Sequence, residues 1–85
     1  MKQVTYVVKD ELGLHARPAG LLVKVTGGFK SDIRLSANGK EADGKRILGI
    51  MSLGVKKGDK VTFACKGVDE ERAAVQIESF LNDNL

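Results

Sequence analysis

Four short segments of the chain alternate between apolar and polar residues, which is the pattern of strands that bury one face. These segments cover residues 3–9, 32–37, 40–43 and 60–66. In the first segment, Val4, Tyr6 and Val8 share one side. Asn38-Gly39 separates the second segment from the third and is a strong signal for a two-residue hairpin turn. The pattern therefore predicts four strands, two of which are joined as a hairpin.

Three other segments place apolar residues at three- and four-residue spacing, which predicts helices. They cover residues 16–26, residues 47–53 and a segment that begins near Asp69. The apolar faces of the first and last helices consist of Ala19, Leu22, Val23 and Thr26, and of Ala74, Ile77 and Leu81. Asp69 is a favourable N-cap residue, so we expect its side chain to cap the last helix.

The predicted order of elements is β-α-β-β-α-β-α, within a single domain that covers residues 1–85. Each strand has one apolar face, so one side of the sheet must be covered. We therefore expect an α/β (α+β) fold with two layers, an antiparallel sheet and helices on one of its sides.

Charge and composition narrow the classes of function. The chain has 14 Lys and Arg against 11 Asp and Glu, a net charge of +3, which favours acidic partners. It has no basic run or aromatic-rich surface of the kind that binds nucleic acid. Cys65 is the only cysteine, which is typical of a reducing compartment. Neither a signal peptide nor an apolar run of about 20 residues is visible, so we expect a cytoplasmic protein with no membrane insertion.

The segment GLHARPAG, residues 13–20, contains the only histidine, His15, and the only proline, Pro18. A helix tolerates proline in its first turn, which predicts that His15 is the N-cap and Ala16 the first helical residue. The free N–H groups of that turn, together with Arg17, would favour an anion beside the imidazole. A neutral imidazole is also a competent nucleophile near pH 7. His15 is therefore either a phosphoryl acceptor or an exposed capping histidine without chemistry, and its neighbours favour the first interpretation.

Nothing else in the sequence predicts a cofactor. One histidine and one cysteine far apart do not form a metal site. There is no nucleotide-binding motif, so we expect the phosphoryl group to come from another protein.

The second predicted helix is too short to bury all of its apolar residues. We expect Ile50 and Leu53 to lie in the core, and Ile47, Leu48 and Met51 to face solvent at least in part. Exposed apolar side chains that include an adaptable methionine are typical of a surface with several partners.

A second face of the first helix carries Arg17, Gly20, Leu21 and Lys24. This face is either an ordinary solvated surface or a docking rim around His15. In the second case its positive charges would steer acidic partners toward the histidine.

The segments GLHARPAG and ILGIMSLG resemble the histidine-containing phosphocarrier (HPr) family of the bacterial phosphoenolpyruvate-dependent sugar phosphotransferase system. The resemblance covers the whole chain, and the second segment is similar to family members from Gram-positive bacteria. It implies an open-faced β-sandwich with strand order 1-4-2-3 and three helices on one face. It also implies a monomer that is not an enzyme in the sense of turnover, because the protein itself is the covalent intermediate.

The resemblance further implies roles for individual residues. His15 would be phosphorylated at Nδ1 by phosphorylated enzyme I and would pass the group to the A domains of sugar-specific enzymes II. Arg17 would interact with the phosphohistidine, and Ala16 and Arg17 would offer backbone N–H groups. The docking surface for both partners would consist of Arg17, Gly20, Lys24, Ile47, Leu48 and Met51.

Two residues depart from the family pattern. Many Gram-positive members carry a regulatory serine, phosphorylated by an ATP-dependent kinase, where this chain has Arg46. Arginine cannot accept that phosphate and is a poor N-cap, so we expect the chain to escape serine-based control. Ser52 is the nearest alternative acceptor. Gly20 is the second departure, because family members usually have a larger residue there.

Two alternatives to sugar phosphotransfer remain. A regulatory binding module of the same fold, or a member of a nitrogen-related phosphotransfer branch, would share His15 and Arg17, although the ILGIMSLG segment favours the sugar branch. A nucleic-acid-binding domain has little support, because aromatic residues make up only 5% of the chain.

Overall fold

The computed structural model describes residues 1–85 and contains seven elements in the predicted order. They are β1 (Lys2–Val7), α1 (Ala16–Thr26), β2 (Asp32–Ala37), β3 (Lys40–Asp43), α2 (Ile47–Met51), β4 (Lys60–Lys66) and α3 (Glu70–Asn84). The strands form one antiparallel sheet in the order β1-β4-β2-β3. The expected fold and strand order are therefore confirmed.

The core lies between one face of the sheet and the three helices. The sheet contributes Ile33, Leu35 and Phe63, which are fully buried. Each helix contributes at least one fully buried side chain to the same cluster, including Leu22, Ile50 and Ile77. Burying a side chain of this size stabilises the fold by about 1.5–3 kcal/mol. This packing holds α1 and α2 side by side, and that arrangement creates the surface described below.

Strand β1 ends earlier than the alternation predicts. Val8 is buried, but its N–H donates to the carbonyl oxygen of Asp59 (3.0 Å), and its own carbonyl accepts from Gly58 N–H (2.8 Å). Lys9 N–H donates to the carbonyl oxygen of Leu85 at 2.6 Å. The apolar pattern continues past the ladder because Val8 still faces the core, while its hydrogen bonds go to a loop.

The end of α2 and the apolar stripe of α3 also differ from the prediction. α2 ends at Met51 rather than at residue 53, because Leu53 N–H turns back to the carbonyl of Ile50. In α3 the apolar stripe begins one residue earlier than predicted, at Ala73, which is fully buried while Ala74 is only partly so. Phe80 also belongs to the buried stripe of α3.

The predicted N-cap position of Asp69 is confirmed, but the expected capping by its side chain is not. Asp69 occupies the N-cap position of α3, but its side chain makes no capping hydrogen bond. Its carboxylate instead accepts hydrogen bonds from Lys30 N–H (2.9 Å), Ser31 N–H (2.9 Å) and the Ser31 hydroxyl. The loop between α1 and β2 packs against the start of α3 and supplies three donors that outcompete the helix.

None of the three helices combines the length and the apolar character that crossing a membrane requires.

Candidate functional site

His15 begins helix α1 with a side chain that makes no hydrogen bond. It is the N-cap residue, with extended backbone angles (φ −88°, ψ −174°), and no side-chain capping bond is present. Its carbonyl oxygen accepts the N–H of Ala19 at 3.0 Å, which is the first hydrogen bond of the helix. The predicted position of His15 at the helix start is therefore confirmed, and neither ring nitrogen is engaged in a hydrogen bond.

The loop before His15 is held tightly against the segment after α2. Leu14 is buried, and its N–H donates to the carbonyl oxygen of Val55 at 3.1 Å. Gly13 has φ +66°, and a Cβ at this residue would lie 2.3 Å from that same oxygen. Only glycine fits both the left-handed angle and the close approach. The backbone that presents His15 is therefore fixed by non-local contacts.

The first turn of α1 presents hydrogen-bond donors next to the imidazole. The N–H groups of Ala16 and Arg17 have no hydrogen-bond partner, and both residues are exposed. Pro18 is the third residue of the helix, and its ring is buried. An N–H at this place would have no partner within the helix, so proline costs no hydrogen bond here. Free N–H groups at a helix start carry a partial positive charge and attract anions. The side chain of Arg17 is exposed and forms no ion pair, so it is also available to an anion.

A cleft of about 190 Å³ opens beside His15 and Arg17. Its other lining residues are Asp10, Pro18, Leu21, Asp83 and Asn84. The largest depression on the molecule, about 530 Å³, lies instead between Phe29 and the first turns of α3. That groove contains no residue of α1, so cavity volume alone does not identify the cleft beside His15.

The exposed side chains of α2 lie next to the face of α1 that carries Arg17. Ile47, Leu48 and Met51 are 38%, 79% and 39% exposed, while Ile50 and Leu53 are buried, as predicted. Gly20 links the two helices, because a Cβ at this residue would lie 3.7 Å from Cδ1 of Ile47. Ile47 therefore borders the face of α1 that carries Gly20, and Leu48 and Met51 are exposed on the same short helix.

The exposed residues of that α1 face complete the surface. Leu21 is 39% exposed, and Lys24 is exposed in the last turn of the helix. The six predicted docking residues thus lie on two helices that pack against each other. We call them the α1–α2 face: Arg17, Gly20, Lys24, Ile47, Leu48 and Met51.

Arg46 stands at the N-cap of α2 and makes no side-chain capping bond. Its side chain is 81% exposed and lies 3.7 Å from a carboxylate oxygen of Asp43, a contact that contributes little at such exposure. The other carboxylate oxygen of Asp43 accepts the N–H of Lys45 at 2.9 Å. At the other end of α2, the exposed hydroxyl of Ser52 donates to the carbonyl of Gly49 at 2.6 Å.

Sequence reasoning missed the acidic part of the cleft. Asp10 follows the first predicted strand, and Asp83 and Asn84 lie at the far end of the chain from His15. One signal was available. Asp83 falls in the last turn of α3, where carboxylates oppose the helix dipole, and no basic residue accompanies it there. A residue that breaks such a local preference is often part of a functional site.

The fold and the site together define a small open-faced sandwich that presents one histidine, with free donors, at a helix start. The family model for the HPr component phosphorylation site of the phosphotransferase system (PTS) matches residues 2–83. The chain is 43% identical over 82 residues to the phosphocarrier protein HPr of Mycoplasma pneumoniae, covering 95% of this chain and 93% of that protein.

Solved structures agree with the sequence match. HPr of Thermoanaerobacter tengcongensis superposes with a TM-score of 0.92 at 41% identity and covers 98% of this chain and 93% of that one. A second structure from the same organism, described as an HPr dimer, has a TM-score of 0.77 at 41% identity and covers 98% and 95%. The chain belongs to the HPr family of phosphocarrier proteins of the phosphotransferase system.

Proposed function

We propose that His15 accepts a phosphoryl group at Nδ1 from phosphorylated enzyme I and passes it to the A domains of sugar-specific enzymes II. The observation that carries this proposal is the unbonded imidazole at the start of α1, beside Arg17 and two free N–H groups. Phosphoryl transfer depends mainly on positioning and on stabilising the charge of the transferred oxygens. Those donors supply both.

The transfer itself needs no group beyond these. The lone pair of Nδ1 forms a bond to phosphorus while the bond from phosphorus to the donor atom breaks, and its electron pair stays with the donor. The backbone N–H groups of Ala16 and Arg17 and the guanidinium of Arg17 would bind the phosphoryl oxygens. The reverse sequence delivers the group to the acceptor. In this role the protein is the covalent intermediate rather than a catalyst with turnover.

The α1–α2 face is the proposed docking surface for donor and acceptor alike. It combines cations near His15 with three exposed apolar side chains on α2. The cations would steer acidic partners, and the apolar side chains would be buried in the complex. We further propose that the protein acts in the cytoplasm as a monomer, although some similar proteins have been solved as dimers.

We also propose that this chain escapes control by serine phosphorylation. Arg46 stands where the regulatory serine of other family members is expected, and Ser52 has its hydroxyl engaged at the end of α2. An ATP-dependent HPr kinase should therefore leave the wild-type protein unmodified and should modify an Arg46→Ser variant. Serine phosphate on the wild type, lost in Ser52→Ala, would overturn this part of the proposal.

The main proposal is tested by incubating the protein with enzyme I, Mg²⁺ and phosphoenolpyruvate, followed by phosphorus NMR and intact mass. One acid-labile phosphate is expected, absent from a His15→Ala control. If a known HPr is labelled in parallel and this protein is not, the sugar-branch proposal fails and a regulatory or nitrogen-branch module of the same fold becomes the better interpretation. Loss of phosphate with enzyme II A domains then tests the second step.

A further inference from the structure

The cleft beside His15 is lined by two carboxylates as well as by Arg17. Asp10 reaches it from the loop after β1, and Asp83 reaches it from the last turn of α3. Arg17 is the only Lys or Arg in the lining. The cleft that holds His15 therefore combines one cationic and two anionic side chains.

The position of Asp83 is held by backbone hydrogen bonds. The N–H groups of Lys9 and Asp10 both donate to the carbonyl oxygen of Leu85, at 2.6 and 2.9 Å. Leu85 is buried, and its N–H continues α3 through the carbonyl of Leu81. The end of α3 is thus tied to the loop that carries Asp10, so the two carboxylates are kept on the same cleft.

Neither carboxylate is neutralised within the molecule. The side chain of Asp83 makes no hydrogen bond or ion pair, and it stands at the negative end of a helix, where a carboxylate is unfavourable. The carboxylate of Asp10 accepts only the uncharged N–H of Leu12, at 2.8 Å. All five ion pairs of the molecule involve other residues. Both negative charges are therefore available to act on a neighbouring phosphoryl group.

We propose that Asp83 and Asp10 destabilise phosphorylated His15 and so keep the phosphoryl group easy to pass on. This inference rests on the proposed function. A phosphoryl group carries nearly two negative charges at neutral pH. Arg17 and the free N–H groups attract it, and the two carboxylates repel it. A carrier with the attractive groups alone would hold the phosphate more tightly and would deliver it less readily.

The inference is tested by phosphoryl exchange between two forms of the protein. Wild type labelled with ¹⁵N and unlabelled Asp83→Asn are mixed with catalytic enzyme I and limiting phosphoenolpyruvate, and intact mass reads the phosphate on each. The phosphorus–nitrogen bond breaks in one form and re-forms on His15 of the other, so the ratio at equilibrium compares the two phosphohistidines directly.

Asp83→Asn should hold more phosphate than the wild type. Exposed charges of unit size shift an equilibrium by up to about fivefold, so we expect a preference of about threefold. Adding Asp10→Asn, which keeps an acceptor oxygen for Leu12 N–H, should raise the preference to about tenfold. The matched control is Glu78→Gln, the same change at an exposed residue of α3 that does not line the cleft. It should give a ratio near one.

Salt separates a charge effect from a structural one. At about 1 M salt the screening length is roughly 3 Å, so the preference of Asp83→Asn should fall toward one. A ratio near one already at low salt would overturn the inference and leave the phosphocarrier role intact. The same holds if Glu78→Gln shows an equally strong preference for phosphate, or if salt leaves the preference of Asp83→Asn unchanged. Wild type that takes up no phosphate would overturn both.

Discussion

Replacing Gly20 with alanine should stabilise the protein. Gly20 lies inside α1, where glycine costs about 1 kcal/mol relative to alanine because the unfolded chain loses more freedom on folding. Beyond the helix itself, the new Cβ would have one close neighbour, Cδ1 of Ile47 at 3.7 Å, which is an ordinary van der Waals distance. The methyl group therefore adds a contact without a clash. We expect a gain of about 0.5–1 kcal/mol in the free energy of unfolding.

Thermal denaturation followed by circular dichroism measures this gain. For a domain of this size, 1 kcal/mol corresponds to roughly 4–8 °C in Tm, so the variant should melt about 2–8 °C higher. The urea midpoint should rise with an unchanged slope, because the surface exposed on unfolding is nearly the same.

Gly44→Ala is the matched control for this prediction. A Cβ at Gly44 would lie 2.7 Å from Cγ2 of Ile33 and 3.0 Å from its carbonyl oxygen, so the same chemical change should destabilise the protein. If Gly20→Ala leaves Tm unchanged or lowers it while Gly44→Ala lowers it as expected, the balance of helix propensity and contact worked out for Gly20 is wrong.

Two further predictions concern the start of α3 and the start of α2. The pKa of Asp69 is lowered from 3.8 to about 2, first by the Ser31 hydroxyl and then by the backbone N–H of Lys30. The ionised carboxylate therefore stabilises the fold fully above about pH 4, and this contribution is lost as the pH falls through 2. The stability difference between wild type and Asp69→Asn, measured by urea titration, should shrink over that window, and a constant difference would contradict the assignment. Arg46→Ser and Arg46→Ala both remove a cation from the positive end of α2, but only the serine offers a capping hydroxyl. The free energy of unfolding of Arg46→Ser should therefore be about 0.5–1 kcal/mol higher than that of Arg46→Ala. Equal stability of the two variants would show that no cap forms.

The local elements could be predicted because their causes are local. Alternation marked the strands, and the single proline placed the start of α1 at His15. Asn38 and Gly39 have φ +54° and +74°, the positive angles that a type I′ hairpin turn requires. The short length of α2 required some of its apolar side chains to face solvent. Each of these features depends on residues within a few positions of one another.

The pattern of apolar and polar residues did not predict the order of the strands in the sheet. Periodicity predicted antiparallel strands with one buried face, but only the family resemblance supplied the order 1-4-2-3. β4 lies between β1 and β2, and its pairs, such as Val4 with Phe63 and Leu35 with Phe63, join distant parts of the chain. The alternation of apolar and polar residues indicates which face of a strand is buried, but it does not indicate which strand lies beside it in the sheet.

The sequence alone predicted the elements, the place of His15 at a helix start with free N–H donors, and the partial exposure of the apolar residues of α2. Only the tertiary structure decided what the remaining polar side chains do. Asp69 is a residue type that favours capping, but its carboxylate accepts hydrogen bonds from the loop at Ser31. Asp83 lines the cleft of His15 because Leu85 is hydrogen-bonded to the loop after β1. A carboxylate takes whichever donors or charges the packed chain brings within a few ångströms, and those neighbours are set by non-local contacts.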